Sequence, residues 1–160
     1  MPALTVDGRT IQVDEGERLV IAIKELGINI GHRCGGYGRC TTCRVEFLEG
    51  EPLEMTRVEY ERLVNKALYG KVRLACQIVC DRDMSLKTLM TAESEPAWNG
   101  DTGPAPAEEV TPEARWYLRE THEKEAKGCF KPKASPPSID GGFIISYRYM
   151  LNGGHFGEKN

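Results

Sequence analysis

The spacing of its cysteines constrains this 160-residue chain more than any other feature of the sequence. Cys34, Cys40 and Cys43 lie within ten residues of one another, and Cys76 follows Cys43 by thirty-three positions. Disulfides are disfavoured in a reducing cytosol, where clustered cysteines more often hold a metal. The spacing therefore predicts a metal site built from one loop and one distant segment of the chain.

Glycines in the loop between the first cysteines indicate what kind of metal site this is. Gly35, Gly36 and Gly38 can adopt positive φ and bring the backbone close to a metal group without a Cβ clash. Such a loop turns amide N–H groups towards sulfur, and these hydrogen bonds raise a reduction potential. Arg33 and Arg39 would add positive charge nearby. Because four thiolates supply two sulfur ligands per iron, we expect a [2Fe–2S] cluster that takes up one electron without a proton.

Residues 1–92 are predicted to alternate between strands and helices. A hairpin is expected at the N-terminus, where apolar residues alternate with polar ones on both sides of Asp7-Gly8. The segment ERLVIAIKEL has helical spacing, and Gly27 is placed to end the helix. The other expected elements are a strand over 44–48, a short helix with Thr56 and Glu59 at capping-box spacing, and a last strand over 84–89.

The composition changes after residue 92, and we expect a second region over 93–160. Residues 93–112 are rich in proline and are predicted to be a linker. A helix is predicted to begin at Thr111, with Pro112 in its first turn, and to end at Gly128. Alternating apolar residues over 143–151 predict a strand that pairs with a sheet edge of this chain, of a partner or of a second copy.

The loop sequence CGGYGRCTTCRV, followed by RLACQ around the fourth cysteine, resembles [2Fe–2S] ferredoxins. Five residues separate the first two cysteines, one more than in the plant type, and this longer gap is similar to that of adrenodoxin-like ferredoxins. The resemblance covers residues 3–90 and implies an α+β, β-grasp fold with a C-terminal extension. It also implies that Cys34, Cys40, Cys43 and Cys76 ligate the cluster.

The function implied by the resemblance is one-electron transfer rather than catalysis of a reaction. We expect a carrier between a donor, which is a ferredoxin reductase or a photosystem, and acceptor redox enzymes. The potential should be negative, about −400 to −200 mV, because all ligands are thiolates and the loop is partly exposed. Two alternatives remain open: a redox-sensing or structural module whose extension binds a partner, and a dedicated electron-transfer subunit of a larger oxidoreductase.

Other uses of the cysteines and of His32 fit the sequence less well. A zinc site of Cys40, Cys43, Cys76 and Cys80 would leave Cys34 without a role. Cys80 is expected to be a small buried residue, and Cys129 to lie on the surface after a helix. His32 lacks a second histidine beside the later cysteines, as a Rieske centre would require, and is expected to be an exposed loop residue.

Charge and hydropathy exclude several classes of function. The formal net charge is −3, which argues against non-specific nucleic-acid binding. The longest apolar run covers only residues 19–23, far below the length of a membrane helix. The N-terminus lacks a basic start followed by an apolar stretch, so we expect a cytoplasmic protein without membrane insertion.

Acidic residues offer a possible docking face for a basic reductase. An ordinary solvated surface, with Arg44, Arg57 and Arg62 interspersed, is at least as good an interpretation. The acidic residues concerned are Glu46, Glu49, Glu51, Glu54, Glu59, Glu61, Asp81 and Asp83.

Overall fold

A computed structural model describes residues 1–127 of the chain and begins with the expected hairpin. Strand β1 (Ala3–Val6) pairs antiparallel with β2 (Arg9–Gln12). Asp7 and Gly8 connect them with φ of 49° and 81°. Two successive positive φ values match the twist of adjacent strands in a tight hairpin, so the prediction from Asp7-Gly8 is confirmed.

A five-stranded mixed sheet forms one layer of the structure, and its strands lie in the order β2, β1, β8 (Met84–Thr88), β4 (Arg44–Glu49) and β6 (Arg73–Leu74). Strands β4 (Arg44–Glu49) and β8 (Met84–Thr88) confirm the strands expected over 44–48 and 84–89. The short β6 (Arg73–Leu74) lies at one edge and leads towards the fourth cysteine. Strand β8 runs parallel to β1 and antiparallel to β4, and this arrangement places the N-terminal hairpin beside the last strand of the sheet.

Helix α1 (Leu19–Glu25) buries its apolar face in the same core as the sheet. Leu26 is the C-cap residue of this helix, and Gly27 follows with φ of 78°, which confirms the prediction that Gly27 is placed to end the helix. The largest fully buried aliphatic residues of this core come from both layers and from the connecting segments: Leu4, Leu19, Ile23, Ile30, Leu63, Leu74, Ile78 and Leu86. A mixed sheet packed on one helix confirms the α+β fold class.

Helix α2 (Arg57–Asn65) is capped by Thr56, whose hydroxyl accepts a hydrogen bond from the Glu59 amide at 3.1 Å. The reciprocal half of the expected capping box is replaced by another contact. The Glu59 carboxylate is fully buried and pairs with Arg73, with a 2.7 Å hydrogen bond from Nε. Glu59 is therefore removed from the acidic surface that the sequence offered, because it ties α2 to β6.

Two small sheets attach further segments to this core. Strand β3 (Glu17–Arg18) pairs with β7 (Val79–Cys80), and β5 (Glu54–Thr56) pairs with β9 (Trp116–Leu118). Helix α3 (Arg119–Ala126) follows β9 directly. The prediction that this helix begins at Thr111 is wrong, because Trp116–Leu118 form strand bonds with β5 before the helix begins.

The strand predicted over 143–151, Cys129 and the helix stop at Gly128 all lie outside the described residues. The division of the chain at residue 92 stays a prediction. Across residues 1–127, no helix combines the length and apolar character that spanning a bilayer demands.

Candidate metal centre

The loop that carries the first three cysteines is shaped by glycines in left-handed conformations. Gly35, Gly36 and Gly38 have φ of 76°, 88° and 68°, as the sequence predicts. A Cβ on Gly36 would lie 2.7 Å from a nitrogen of Arg18, and one on Gly38 would lie 2.7 Å from Val58. Both positions therefore require glycine for two reasons, the backbone angle and the close contact.

Cys76 reaches this loop from the other side of the fold. Cys76 lies in a single 3-10 turn (Ala75–Gln77) that directly follows β6, and it is fully buried. The Ala75 amide donates a 3.1 Å hydrogen bond to the carbonyl of Cys43. This bond fixes the turn against the end of the cysteine loop, and so the distant segment joins the site.

The four predicted ligands are brought together as two pairs of thiols. Cys34 and Cys40 are in hydrogen-bonding contact with each other, and so are Cys43 and Cys76. The hydrogen bond from Cys40 lowers the pKa of Cys34 to about 4, while the same bond raises the pKa of Cys40. In the second pair the shared bond raises the pKa of Cys43 and lowers that of Cys76.

The two pairs differ in their access to solvent. Cys34 and Cys40 are partly exposed, whereas Cys43 and Cys76 are 2% and 0% exposed. Beside the exposed pair lies Tyr37, which is 44% exposed and has Arg39 over its ring. One side of the site therefore faces the surface, and the other side lies in the hydrophobic core.

Backbone amides of the loop point at sulfur, as the glycines led us to expect. The backbone amides of Arg39, Cys40 and Tyr37 lower the pKa of Cys34, because they favour its negative form. The sulfur of Cys40 is 3.5 Å from the Thr42 amide and 2.9 Å from the Thr42 hydroxyl. Donors arranged in this way stabilise negative charge on a sulfur-ligated group.

This donor set fits a [2Fe–2S] cluster better than a single ion. Within residues 1–127, the structure gathers no set of three or more metal-ligating side chains around one point. Two pairs of thiols are the arrangement in which each of two irons takes two sulfur ligands. Cys80 lies in β7 opposite Glu17, and burial raises the pKa of its thiol to about 12. The groups that influence Cys80 are Glu17 and Asp81 and not the other cysteines, which favours the set with Cys34 over the zinc site with Cys80.

Residues 93–118, which follow the sheet, pack over the cysteine loop and are called the covering segment below. His32 is 2% exposed, and its ring contacts the Pro104 carbonyl at 2.8 Å and the Thr102 hydroxyl at 3.1 Å. The expectation that His32 is exposed is wrong, because residues 102–104 cover it. Burial, the largest influence, lowers the pKa of His32.

Two residues near the site were not singled out in the sequence. Gln77 donates to the carbonyls of Gly36, at 3.3 Å, and Thr111, at 2.7 Å, so it links the loop to the covering segment. Arg18 also donates to the Gly36 carbonyl. The position of Gln77 beside a cysteine is a weak sequence signal of a role at the site. Arg18 precedes an apolar helix, and nothing in the sequence around it indicates a contact with the cysteine loop.

Residues 4–81 match the protein family described as 2Fe-2S iron-sulfur cluster binding domain. Among curated proteins, the chain is 31% identical over 96 residues to one component of the Na(+)-translocating NADH-quinone reductase of Chlamydia felis, covering 59% of this chain and 22% of that protein. The corresponding component of the Methylococcus capsulatus reductase is 32% identical over 78 residues, covering 49% and 19%. The chain thus spans about a fifth of the length of these relatives.

Among solved structures, the ISC-like [2Fe-2S] ferredoxin FdxB from Pseudomonas putida is similar to the chain. The sequence identity is 24% and the TM-score is 0.46. The match covers 54% of this chain and 91% of that one.

Proposed function

Because residues 4–81 form a 2Fe-2S iron-sulfur cluster binding domain, we propose that the protein is a one-electron carrier between a donor, a ferredoxin reductase or a photosystem, and acceptor redox enzymes. The observation that supports this function most strongly is that the cysteine loop meets the turn of Cys76, which gives one partly exposed and one buried pair of thiols. The protein is then an electron-transfer protein and not an enzyme.

The proposed ligands are Cys34 and Cys40 for one iron and Cys43 and Cys76 for the other. When bound, a [2Fe–2S] cluster supplies a site that accepts and returns one electron. The chain's own part is to hold four sulfurs in a fixed cage and to direct the amides of residues 37, 39 and 40 at Cys34. A preformed cage needs little rearrangement when charge changes, and this suits repeated transfer.

The partner is proposed to approach from the side of Cys34 and Cys40. Arg33 and Arg39 are exposed at this edge, and among residues 1–127 neither forms an ion pair. Arg33 lies over the ring of Trp98, 5.4 Å from its centroid, and donates to the Asp101 carbonyl. These free cations favour a partner that presents carboxylates to the loop, and such attraction weakens as salt is added.

The function is tested on anaerobically purified or reconstituted full-length protein. We expect a red-brown protein that holds iron and acid-labile sulfide in equal amounts, about two of each per chain. A ferredoxin reductase with NADPH should reduce it rapidly, and the reduced protein should pass electrons to cytochrome c over many turnovers. Pale protein that contains only zinc would refute the metal centre. A loaded centre that no reductase reduces would instead favour a structural or redox-sensing module.

A second candidate is a dedicated electron-transfer subunit of a larger oxidoreductase. It is favoured by the relatives, which are subunits of a NADH-quinone reductase and which this chain matches over only about a fifth of their length. A general carrier should reduce several unrelated acceptors at comparable rates. A dedicated subunit should co-purify with one complex and transfer slowly to the others.

A further inference from the structure

Arg18 is a buried cation whose surroundings contain many acceptors and no carboxylate. The residue is 1% exposed, and its five N–H groups face four backbone carbonyls and one hydroxyl. The carbonyl partners are Cys76 at 2.8 Å, Ala107 at 2.8 Å, Glu109 at 3.0 Å and Gly36. The hydroxyl is that of Thr111, at 3.5 Å. Every donor thus has an acceptor, but none of these acceptors is a charged group.

The other buried guanidinium in the described residues is treated differently. Arg73 is 3% exposed and pairs with the fully buried carboxylate of Glu59. A charge that is removed from water without a partner of opposite sign is costly, and for this reason such groups are nearly always paired. Arg18 has no carboxylate partner of this kind, so another negative group must balance its charge.

The hydrogen bonds of Arg18 place its guanidinium against both segments that carry the cysteines, and cysteine thiols are the groups that favour its charged form. Burial lowers the pKa of its guanidinium, while the charges of Cys76, Cys43 and Cys34 favour the charged form in that order. Its hydrogen bonds also join the two halves of the site, because Gly36 lies in the cysteine loop and Cys76 in the distant turn. The same guanidinium holds the carbonyls of Ala107 and Glu109, and so it also ties the covering segment to the loop.

We propose that Arg18 is the internal counter-cation of the metal centre, a positioning residue that makes reduction easier. This inference rests on the proposed cluster ligation by Cys34, Cys40, Cys43 and Cys76. Reduction brings one electron from the donor protein, breaks no bond and takes up no proton, so the site gains one negative charge. A fixed buried cation stabilises the more negative state more than the less negative one, and it therefore raises the reduction potential.

Removal of the Arg18 charge and release of the covering segment shift the reduction potential in opposite directions, so an experiment can separate the two effects. Loss of a buried cation makes the potential more negative. Release of the covering segment admits water, which stabilises the more highly charged state and makes the potential less negative. Replacement of arginine by a neutral residue and by lysine therefore distinguishes a counter-cation from a mere anchor for the segment.

The test is a mediated potentiometric titration of full-length, cluster-loaded wild type, Arg18→Gln, Arg18→Lys and Arg39→Gln. For Arg18→Gln we expect at least a tenfold loss in the equilibrium constant of reduction, which is about 59 mV for one electron. Arg18→Lys should keep most of the wild-type value. The shift in Arg18→Gln should persist between about 0.05 and 0.5 M salt, since buried charges are screened little. Arg39→Gln, an exposed control, should show a smaller shift that fades with salt.

Each possible result of this titration either supports or overturns the role of Arg18 as a counter-cation. Equal potentials in wild type and Arg18→Gln, or a positive shift in both Arg18 variants, would overturn the proposal. If Arg18→Gln fails to hold a cluster while Arg18→Lys holds one, the requirement for charge is upheld. If both variants fail to hold it, the role of charge is refuted, because lysine keeps the charge. Because mediators replace protein partners in this titration, the results do not depend on whether a reductase recognises the protein. A wild-type protein without iron would contradict the ligand assignment alone.

Discussion

Cys80 lies only four residues after Cys76, yet the two thiols occupy different environments. Cys80 is 1% exposed, belongs to the hydrophobic core and pairs through its backbone with Glu17. Cys76 is equally buried but contacts another thiol. The difference arises from the turn at Ala75–Gln77, which directs one side chain to the loop, while the strand after it directs the other inward. At this scale, burial alone does not identify a ligand.

The ligand assignment predicts distinct outcomes for single cysteine substitutions. Cys34→Ser and Cys76→Ser should each lose the visible spectrum or change it strongly, because a serine oxygen replaces a soft thiolate. Cys80→Ala should keep the wild-type spectrum and the wild-type ratio of iron to protein. Absorption and electron paramagnetic resonance spectra, with iron analysis, make the comparison. An unaltered spectrum in Cys34→Ser would remove that residue from the proposed set.

At the scale of elements, local signals predicted structure well and distant pairing escaped prediction. The Asp7-Gly8 hairpin and the Thr56 cap depend on residues only a few positions apart, and both are confirmed. The β3–β7 and β5–β9 pairs contain only two or three residues per strand and join segments about sixty positions apart. Such strands are too short for a hydrophobic period to be read. The prediction of where α3 begins is wrong for the same reason, because the short strand β9 precedes the helix.

Helix α3 is held in place by a buried histidine. His122 is 1% exposed, and its Nε2 donates to the carbonyl of Met55 in β5 at 2.9 Å. Its ring stacks on Tyr60 of α2, with centroids 4.9 Å apart, and meets the ring of Tyr117 edge-on. Burial lowers the pKa of His122 below that of a free histidine, so the folded state favours the neutral ring.

This environment predicts that α3 loosens in acid. The unfolded state binds the proton more readily than the folded state, so the stabilising contribution is complete above about pH 6.5 and declines as the pH falls below it. Hydrogen exchange of residues 116–126, corrected for the intrinsic rate, should show less protection at about pH 5.5 than at about pH 7.5.

The matched variant for this prediction is His122→Phe, which keeps a flat ring against Tyr60. It should cost about 1–3 kcal/mol at neutral pH, since the Met55 carbonyl loses its donor. Its protection should then change little with pH over the same interval. An equal loss of protection in wild type and variant would show that another group is responsible.

At the scale of the whole molecule, residues 93–118 form a cover over the cysteine loop, although their composition resembles that of a linker. Four contacts fasten this cover at different points: Thr102 and Pro104 to His32, Thr111 to Gln77, and Trp116 to the Gln77 carbonyl at 2.9 Å. Most of these bonds use backbone carbonyls, which any sequence provides. Cysteine spacing therefore suffices to propose the ligands, whereas their cover could not be predicted from residue types.

Gly103 provides a way to lift this cover without touching a ligand. It has φ of +109°, and a Cβ there would lie 2.4 Å from the Cα of Arg33 and 2.6 Å from the carbonyl oxygen of His32. Gly100 also has positive φ, +80°, but a Cβ there would meet nothing within 4 Å. Alanine at either position strains the backbone, and only at Gly103 does it also force the cover away from the loop.

We therefore expect Gly103→Ala, but not Gly100→Ala, to expose the metal centre. Bleaching of the loaded protein by a chelator in air should be several-fold faster in Gly103→Ala, and a protease should cut more readily within residues 93–112. The Gly100→Ala protein reports the effect of backbone strain alone and should bleach at nearly the wild-type rate. If both variants bleach at the wild-type rate, residues 93–118 do not protect the centre. If both bleach equally fast, strain in the segment matters and the contact with the loop does not.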